Sequence, residues 1–99
     1  MITSAQCRAA RALAELSREV LAHRSGLDER VIERFERKLA HPGEAAVAAL
    51  KSALEAGGIV FIPENGGGAG VRLKFTASET RRIATLEGEG GVVAEDDVP

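Results

Sequence analysis

The stretch that most constrains the fold is residues 17–37, SREVLAHRSGLDERVIERFER, because it predicts two short helices joined by a sharp turn. Ser17 and Asp28 are residue types that favour helix N-caps, and each precedes apolar residues at helical spacing. Gly26 lies between the two helices, where the first must end and where the backbone is expected to need a positive φ. The pattern therefore predicts two helices that cross closely at a steep angle.

A pair of this kind buries one face of its second helix and presents the other face to solvent. That arrangement is typical of a helix-turn-helix, whose second helix enters the major groove of DNA. The charge distribution agrees modestly, since residues 1–42 carry eight Lys/Arg against six Asp/Glu, whereas residues 43–99 carry five against nine. DNA is therefore the expected partner, although the overall net charge is −2.

The rest of the chain predicts further helices and one hairpin. A helix capped by Ser4 is expected over residues 4–16, with Cys7, Ala10 and Leu13 inward, and another over residues 44–56, ended by Gly57 and Gly58. Residues 59–62 and 71–75 predict two strands joined by a glycine-rich turn. We expect a helix-turn-helix domain over 1–56, a dimerisation hairpin over 57–76, and a marginal helix with an acidic, disordered tail over 77–99.

Composition excludes several classes of protein. The single cysteine, Cys7, cannot form an internal disulfide and is expected to be a small buried side chain. No apolar run approaches the length of a membrane span, so a cytoplasmic, nucleoid-associated location is predicted. No nucleophile has a plausible base beside it, and no cofactor fingerprint or metal-ligand cluster is present, so we expect no enzyme activity, no cofactor and no metal site.

Residues 2 to about 54 resemble the lambda-repressor/Cro-like (Xre) helix-turn-helix family. The residues that carry the resemblance are Arg11-Ala12-Leu13, Ser17, Leu21-Ala22, Gly26, Ile32, Phe35-Glu36-Arg37 and Pro42. The following EAGGIVFIPENGGGAGVRL looks like the strand extension of many small bacterial members. The resemblance implies a mainly α fold, a four- to five-helix bundle followed by a hairpin, in a homodimeric transcriptional regulator, usually a repressor, that binds a palindromic operator.

The resemblance also implies roles for individual residues. Base contacts fall to Glu29, Arg30 and Arg34, and contacts with the DNA backbone fall to Ser17, Arg18, Arg37 and Lys38. Arg18 is expected either to contact a phosphate or to brace the recognition helix. Glu36 is expected to pair with Arg11 of the first helix. The chain departs from the family where many members have glycine, since it has Glu15 and Lys38 at those positions.

The hairpin predicts how two copies would assemble. Its apolar side chains alternate along both strands and need a covering surface; they are Ile59, Phe61, Val71, Leu73 and Phe75. Pairing with the hairpin of a second subunit would supply that cover and place two recognition helices about 34 Å apart, as a palindromic operator requires.

Three alternatives stand beside this interpretation. The charges of Arg30, Glu33, Arg34 and Arg37 lie at i,i+3 and i,i+4 spacings, which is also the pattern of an ion-paired solvent face. The protein would also fit an antitoxin or co-regulator, whose main role is to bind another protein, in part through the C-terminal tail. A degenerate domain that no longer contacts DNA is the third alternative, because Glu29 and Glu33 would repel phosphates.

Overall fold

The computed structural model describes residues 1–74, which form four helices followed by an antiparallel hairpin. The elements are α1 (Ser4–Ala14), α2 (Arg18–Ser25), α3 (Glu29–Glu36), α4 (Glu44–Ala56), β1 (Ile59–Ile62) and β2 (Gly70–Leu73). The mainly helical class and the hairpin are thus confirmed. Phe75 and the marginal helix and tail predicted over 77–99 lie outside the described residues.

The first helix differs from its prediction at both ends. Its N-cap is Thr3 rather than Ser4, because the Thr3 hydroxyl accepts from the Gln6 amide at 3.0 Å and the Gln6 side chain accepts from the Thr3 amide at 3.0 Å. This reciprocal capping box satisfies two amides of the first turn. The helix ends at Ala14, two residues early, because Glu15 adopts the left-handed conformation with φ 57°.

The predicted turn between α2 and α3 is confirmed. Ser17 caps α2 by accepting from the Val20 amide at 3.1 Å, and Asp28 caps α3 by accepting from the Arg30 amide at 2.7 Å. Gly26 has φ 79° and ends α2, donating from its amide to the Ala22 carbonyl at 2.9 Å. A left-handed residue at this point reverses the chain within a few residues, as the sequence predicted.

The connection from α3 to α4 also turns on a left-handed residue. Lys38 has φ 60°, so it adopts the left-handed conformation that a glycine usually adopts just after a helix C-terminus. His41 follows on the surface, where its Nδ1 accepts from the Gly43 amide at 3.1 Å and its ring meets the edge of Phe35 with centroids 5.9 Å apart.

One apolar core lies where the four helices and the hairpin meet. α1 packs against α3, α4 and both strands, and α2 packs against α3 and α4. The buried side chains include Cys7 and Ala10, as expected, together with Leu21, Ile32, Phe35, Val47, Leu50 and Leu54. Leu13 is a correction, since its side chain is 41% exposed on the outer side of α1.

The hairpin lies against the helices of its own subunit. Ile59 pairs with Leu73 and Phe61 with Val71, so these four side chains share the face that packs on the core. The buried Gln6 side chain donates to the carbonyls of Ile62 and Gly70 at 3.3 and 2.9 Å, which ties the hairpin to α1.

The outer edge of β2 carries backbone groups that the hairpin does not use. The Lys74 amide donates to the Gly58 carbonyl at 2.7 Å, which makes Val60–Arg72 and Ile62–Gly70 the hydrogen-bonded pairs of the ladder. The N–H and C=O groups of Val71 and Leu73 therefore point away from β1, and among them the Leu73 carbonyl accepts from Arg72 Nη1 at 3.2 Å. An edge of this kind is a template for another strand.

Candidate functional site

The helix α3 is anchored at its C-terminal end by side chains of α1. Ser4 Oγ donates to the Phe35 carbonyl at 2.6 Å, and Arg8 Nη1 donates to the Glu36 carbonyl. These carbonyls belong to the last turn, where helix carbonyls have no partner within the helix. Hydrogen bonds from a neighbouring helix therefore fix the end of α3 and, with it, the direction of the helix.

A buried carboxylate on α3 joins three helices. Glu36 is 0% exposed and accepts from Arg11 through two atoms, Nε and Nη2, at 2.9 and 2.8 Å. Arg18 Nε, at the start of α2, donates to the same carboxylate at 2.9 Å. We call Glu36, Arg11 and Arg18 the Glu36 cluster. The Arg11–Glu36 pairing is confirmed, and of the two expected roles of Arg18 the structure shows the bracing one.

The charge of Glu36 is maintained by its partners. Burial by itself raises the pKa of a carboxyl group, but hydrogen bonds from Arg11, Arg18 and Cys7 outweigh burial and hold the pKa of Glu36 below its usual value. At neutral pH the carboxylate is therefore ionised and bound on both oxygens. Buried ionised groups are tolerated only with such compensation.

The thiol of Cys7 completes the cluster from α1. It is fully buried, and its Sγ donates to Glu36 Oε2 at 3.3 Å. Burial, together with the Glu36 charge and the hydrogen bond to it, raises the pKa of Cys7 to about 12. The expectation of a buried Cys7 is confirmed, and since the thiolate is the reactive form, this thiol is unreactive at neutral pH.

Sequence reasoning found one of the four α1 residues that hold α3. Ser4, Cys7, Arg8 and Arg11 are spaced i, i+3, i+4 and i+7, so they share one face of α1, and every one of them contacts Phe35 or Glu36. The spacing alone does not identify these residues as a packed helix face, because three of the four are polar and a buried face is usually recognised by its apolar residues.

The outward face of α3 carries three arginines. Arg30, Arg34 and Arg37 follow at i, i+4 and i+7, opposite the buried Ile32, Phe35 and Glu36, and all three are exposed. We call them the outer arginine row. At a rise of 1.5 Å per residue they span about 10 Å, roughly the length of three stacked base pairs.

The alternative of a fully ion-paired face is only partly realised. Arg37 Nη1 donates to Glu33 Oε2 at 3.2 Å, between two solvent-exposed side chains. Within residues 1–74, the side chains of Arg30 and Arg34 make no hydrogen bond or ion pair. Two of the three arginines in the row are therefore available to an external anion.

The carboxylates of α3 lie to one side of the outer arginine row. Glu29 and Glu33 line a shallow groove of about 360 Å³ together with Arg18, Asp28 and Arg30. The groove runs between the start of α2 and the start of α3, so Arg18 lines it together with these carboxylates. Of the two carboxylates, Glu33 is paired with Arg37, which reduces its repulsion of an anion on the row.

The predicted backbone-contact residues are grouped at two places. Ser17 and Arg18 lie at the N-terminal end of α2, whereas Arg37 and Lys38 follow directly after α3. Ser17 already accepts a hydrogen bond from Val20 as the N-cap. Arg18 retains the two terminal nitrogens of its guanidinium beyond the Nε that binds Glu36.

The predicted dimer residues have different surroundings from those expected. Ile59 is 2% exposed, so it belongs to the core of its own subunit and is not accessible to a partner. Phe61, Val71 and Leu73 are half-buried against the same core and keep part of their surface free. The helices therefore cover the hairpin face that sequence reasoning had assigned to a second subunit.

Over residues 1–74, no group of three or more His, Cys, Asp or Glu side chains is placed to hold a metal ion. The same part of the chain has no helix of the length and apolar character needed to cross a bilayer. No protein-family model matches the sequence of this chain, and no curated protein sequence matches it.

Proposed function

We propose that this protein is a sequence-specific DNA-binding transcriptional regulator, a repressor that acts as a homodimer on a palindromic operator. α2 and α3 would form its helix-turn-helix, with α3 as the recognition helix. The observation that carries the proposal is the outer arginine row, in which Arg30 and Arg34 have no partner within residues 1–74.

The dimensions and anchoring of α3 suit this role. Its eight residues make a rod of about 12 Å, comparable to the width of the major groove. Its inner face is held by α1 and the Glu36 cluster, so the outward side chains start from a fixed helix. Arg30 and Arg34 have the donor geometry for guanine O6 and N7, and Glu29 accepts from cytosine N4.

Salt dependence is the first test. If Arg18, Arg37 and Lys38 of two subunits neutralise six phosphates, log affinity should fall with log salt at a slope of about −5. Fluorescence anisotropy with a library of genomic duplexes measures this slope. Absence of binding to any duplex at low salt would refute the DNA-binding proposal.

The second test separates base contacts from backbone contacts. Arg30→Ala and Arg34→Ala should each cost about 1–3 kcal/mol on the selected site and little on random duplex. Lys38→Ala should weaken both by a similar factor and make the salt slope shallower by about 2, because each of the two subunits loses one phosphate contact. Equal losses on both duplexes for all three variants would show that the assigned roles are wrong.

The dimer would form along the outer edge of β2. Val71 and Leu73 direct their N–H groups and the Val71 carbonyl to that edge and keep apolar surface beside it, and the Leu73 carbonyl there accepts only from the exposed side chain of Arg72. Two such edges paired about a two-fold axis would make one four-stranded sheet and remove both edges from solvent. The arrangement leaves Ile59 in its own core.

Val71→Pro tests this edge directly. Proline removes the outward N–H of Val71 without removing a hydrogen bond between β1 and β2, so the variant should fold as a monomer. Val71→Thr, which keeps the N–H and the branched shape, is the matched control and should remain dimeric. Light scattering measures the mass, and a wild-type protein that stays monomeric at high micromolar concentration would refute the dimer.

A second candidate function, a protein-binding module, is favoured by one apolar patch. Met1 and Leu39 are 70% and 52% exposed beside a groove of about 510 Å³ that Ile2, Phe35 and His41 also line. For an antitoxin or co-regulator, Leu39→Glu should abolish co-purification of a specific partner, whereas Leu13→Glu, at another exposed leucine, should not. If no partner protein co-purifies and Leu39→Glu still binds duplex DNA, the proposal of a DNA-binding regulator is favoured.

A further inference from the structure

The charges of this chain are divided between its two parts. Residues 1–74 carry eleven Lys/Arg and nine Asp/Glu, whereas residues 75–99 carry two and six. Five of those six acids fall in residues 87–99, which contain no basic residue. The chain therefore carries, in one segment, a polyanion that complements the outer arginine row.

We propose that residues 87–99 dock on the outer arginine row of the same chain and compete with DNA for it. The proposal rests on the proposed function and adds its regulation. Arg30 and Arg34 are exposed and make no hydrogen bond or ion pair within residues 1–74, so two guanidinium groups are free to donate hydrogen bonds to the carboxylates. The segment thereby occupies the surface that phosphates would occupy.

The connecting chain is long enough for this contact. Twelve residues, 75–86, separate the described domain from the acidic segment, and a chain of that length spans up to about 40 Å. A 74-residue domain has a radius of gyration of about 11 Å, so an extended connection of this length would exceed the distance across it. A flexible connection would give a local concentration in the millimolar range, at which a weak ionic contact suffices for substantial occupancy.

The docking itself is tested without DNA. In the full chain, the triple variant Glu95→Gln, Asp96→Asn, Asp97→Asn removes three of the five charges. NMR amide shifts should change at Arg30, Arg34 and Arg37, and the wild-type shifts should approach those of the variant as salt is raised. The control variant Glu44→Gln, Glu55→Gln, Glu64→Gln removes three charges elsewhere. Unchanged shifts at the row, or equal changes in both variants, would overturn the docking.

Competition is tested with a random 20-base-pair duplex at 50 mM salt. The tail variant should bind about 2- to 10-fold more tightly than the wild type, as expected when a tethered competitor at millimolar local concentration is weakened. The control variant should gain less than half as much duplex affinity as the tail variant does. Docking seen by NMR without any gain in affinity would overturn the competition. Failure of every variant to bind duplex would refute the proposed function, while the shift measurement would still decide the docking.

Discussion

The two faces of α3 differ in what holds them. The inner face contributes Ile32, Phe35 and Glu36, which are buried and bonded to α1 and α2. The outer face contributes Arg30 and Arg34, whose side chains are exposed and make no hydrogen bond or ion pair within residues 1–74. One helix of eight residues is thus bound to the rest of the fold on one side and open on the other, so substitutions on the outer side should leave stability nearly unchanged, whereas substitutions on the inner side should not.

The largest effect is expected from Glu36→Ala on the inner face. It leaves Arg11 and Arg18 facing each other without the carboxylate between them and opens a cavity, at a cost of about 3 kcal/mol or more in the free energy of unfolding. Glu33→Ala, one turn earlier, removes only an exposed ion pair and should cost about 0.5 kcal/mol or less. Urea denaturation measures both. Similar losses would erase the contrast between the faces.

Acid should act on the inner face first. The pKa of Glu36 lies below its usual value in the folded protein, so the unfolded chain takes up a proton at this carboxyl before the native state does. The stability that Glu36 contributes is therefore present above about pH 5 and is lost as pH falls through the folded pKa. Urea midpoints of the wild type and of Glu36→Gln, measured from pH 7 to pH 3, should converge on acidification. Parallel curves would contradict the assignment.

Most of the fold could be predicted from the sequence because its rules are local. The caps Ser17 and Asp28, the turn at Gly26 and the apolar spacing of α4 each depend on residues within a few positions. The packing of the hairpin on its own subunit was not predicted, because it depends on α1, more than fifty residues earlier in the chain. No local pattern carries that information.

The candidate site was predicted less completely. Arg11 and Glu36 were paired through the resemblance, but the roles of Ser4, Cys7 and Arg8 depend on how α1 crosses the end of α3, which periodicity does not give. For the same reason, the sequence did not decide whether Arg18 contacts a phosphate or braces α3. The residues of the outer arginine row were also named through the resemblance, and helical spacing by itself left open whether they form an ion-paired face.

A third prediction separates stability from binding at a single position. Lys38 has φ 60°, so Lys38→Gly should relieve left-handed strain and raise the free energy of unfolding by about 0.5–1 kcal/mol, while it removes a charge proposed to contact the DNA backbone. Glu15→Gly, at φ 57° after α1, should stabilise similarly and leave duplex affinity unchanged. Thermal melts and anisotropy on the same samples measure both quantities. A Lys38→Gly variant that binds as well as the wild type would remove Lys38 from the proposed interface.

The smallest effect on stability is expected where the effect on binding is largest. Replacing Arg30, Arg34 and Arg37 together by glutamine removes the outer arginine row but only one exposed ion pair, so the unfolding free energy should change by about 0.5 kcal/mol or less. Duplex binding at low salt should nevertheless fall more than for any single variant, because each subunit would lose two proposed base contacts and one proposed backbone contact. Arg11→Gln is the matched control on the inner side, since it removes one arginine rather than three but breaks a two-point bond to a buried carboxylate and should destabilise more. If the free energy of unfolding is lower for the triple variant than for Arg11→Gln, the outer arginine row stabilises the fold, and the two faces of α3 do not differ in their contribution to stability.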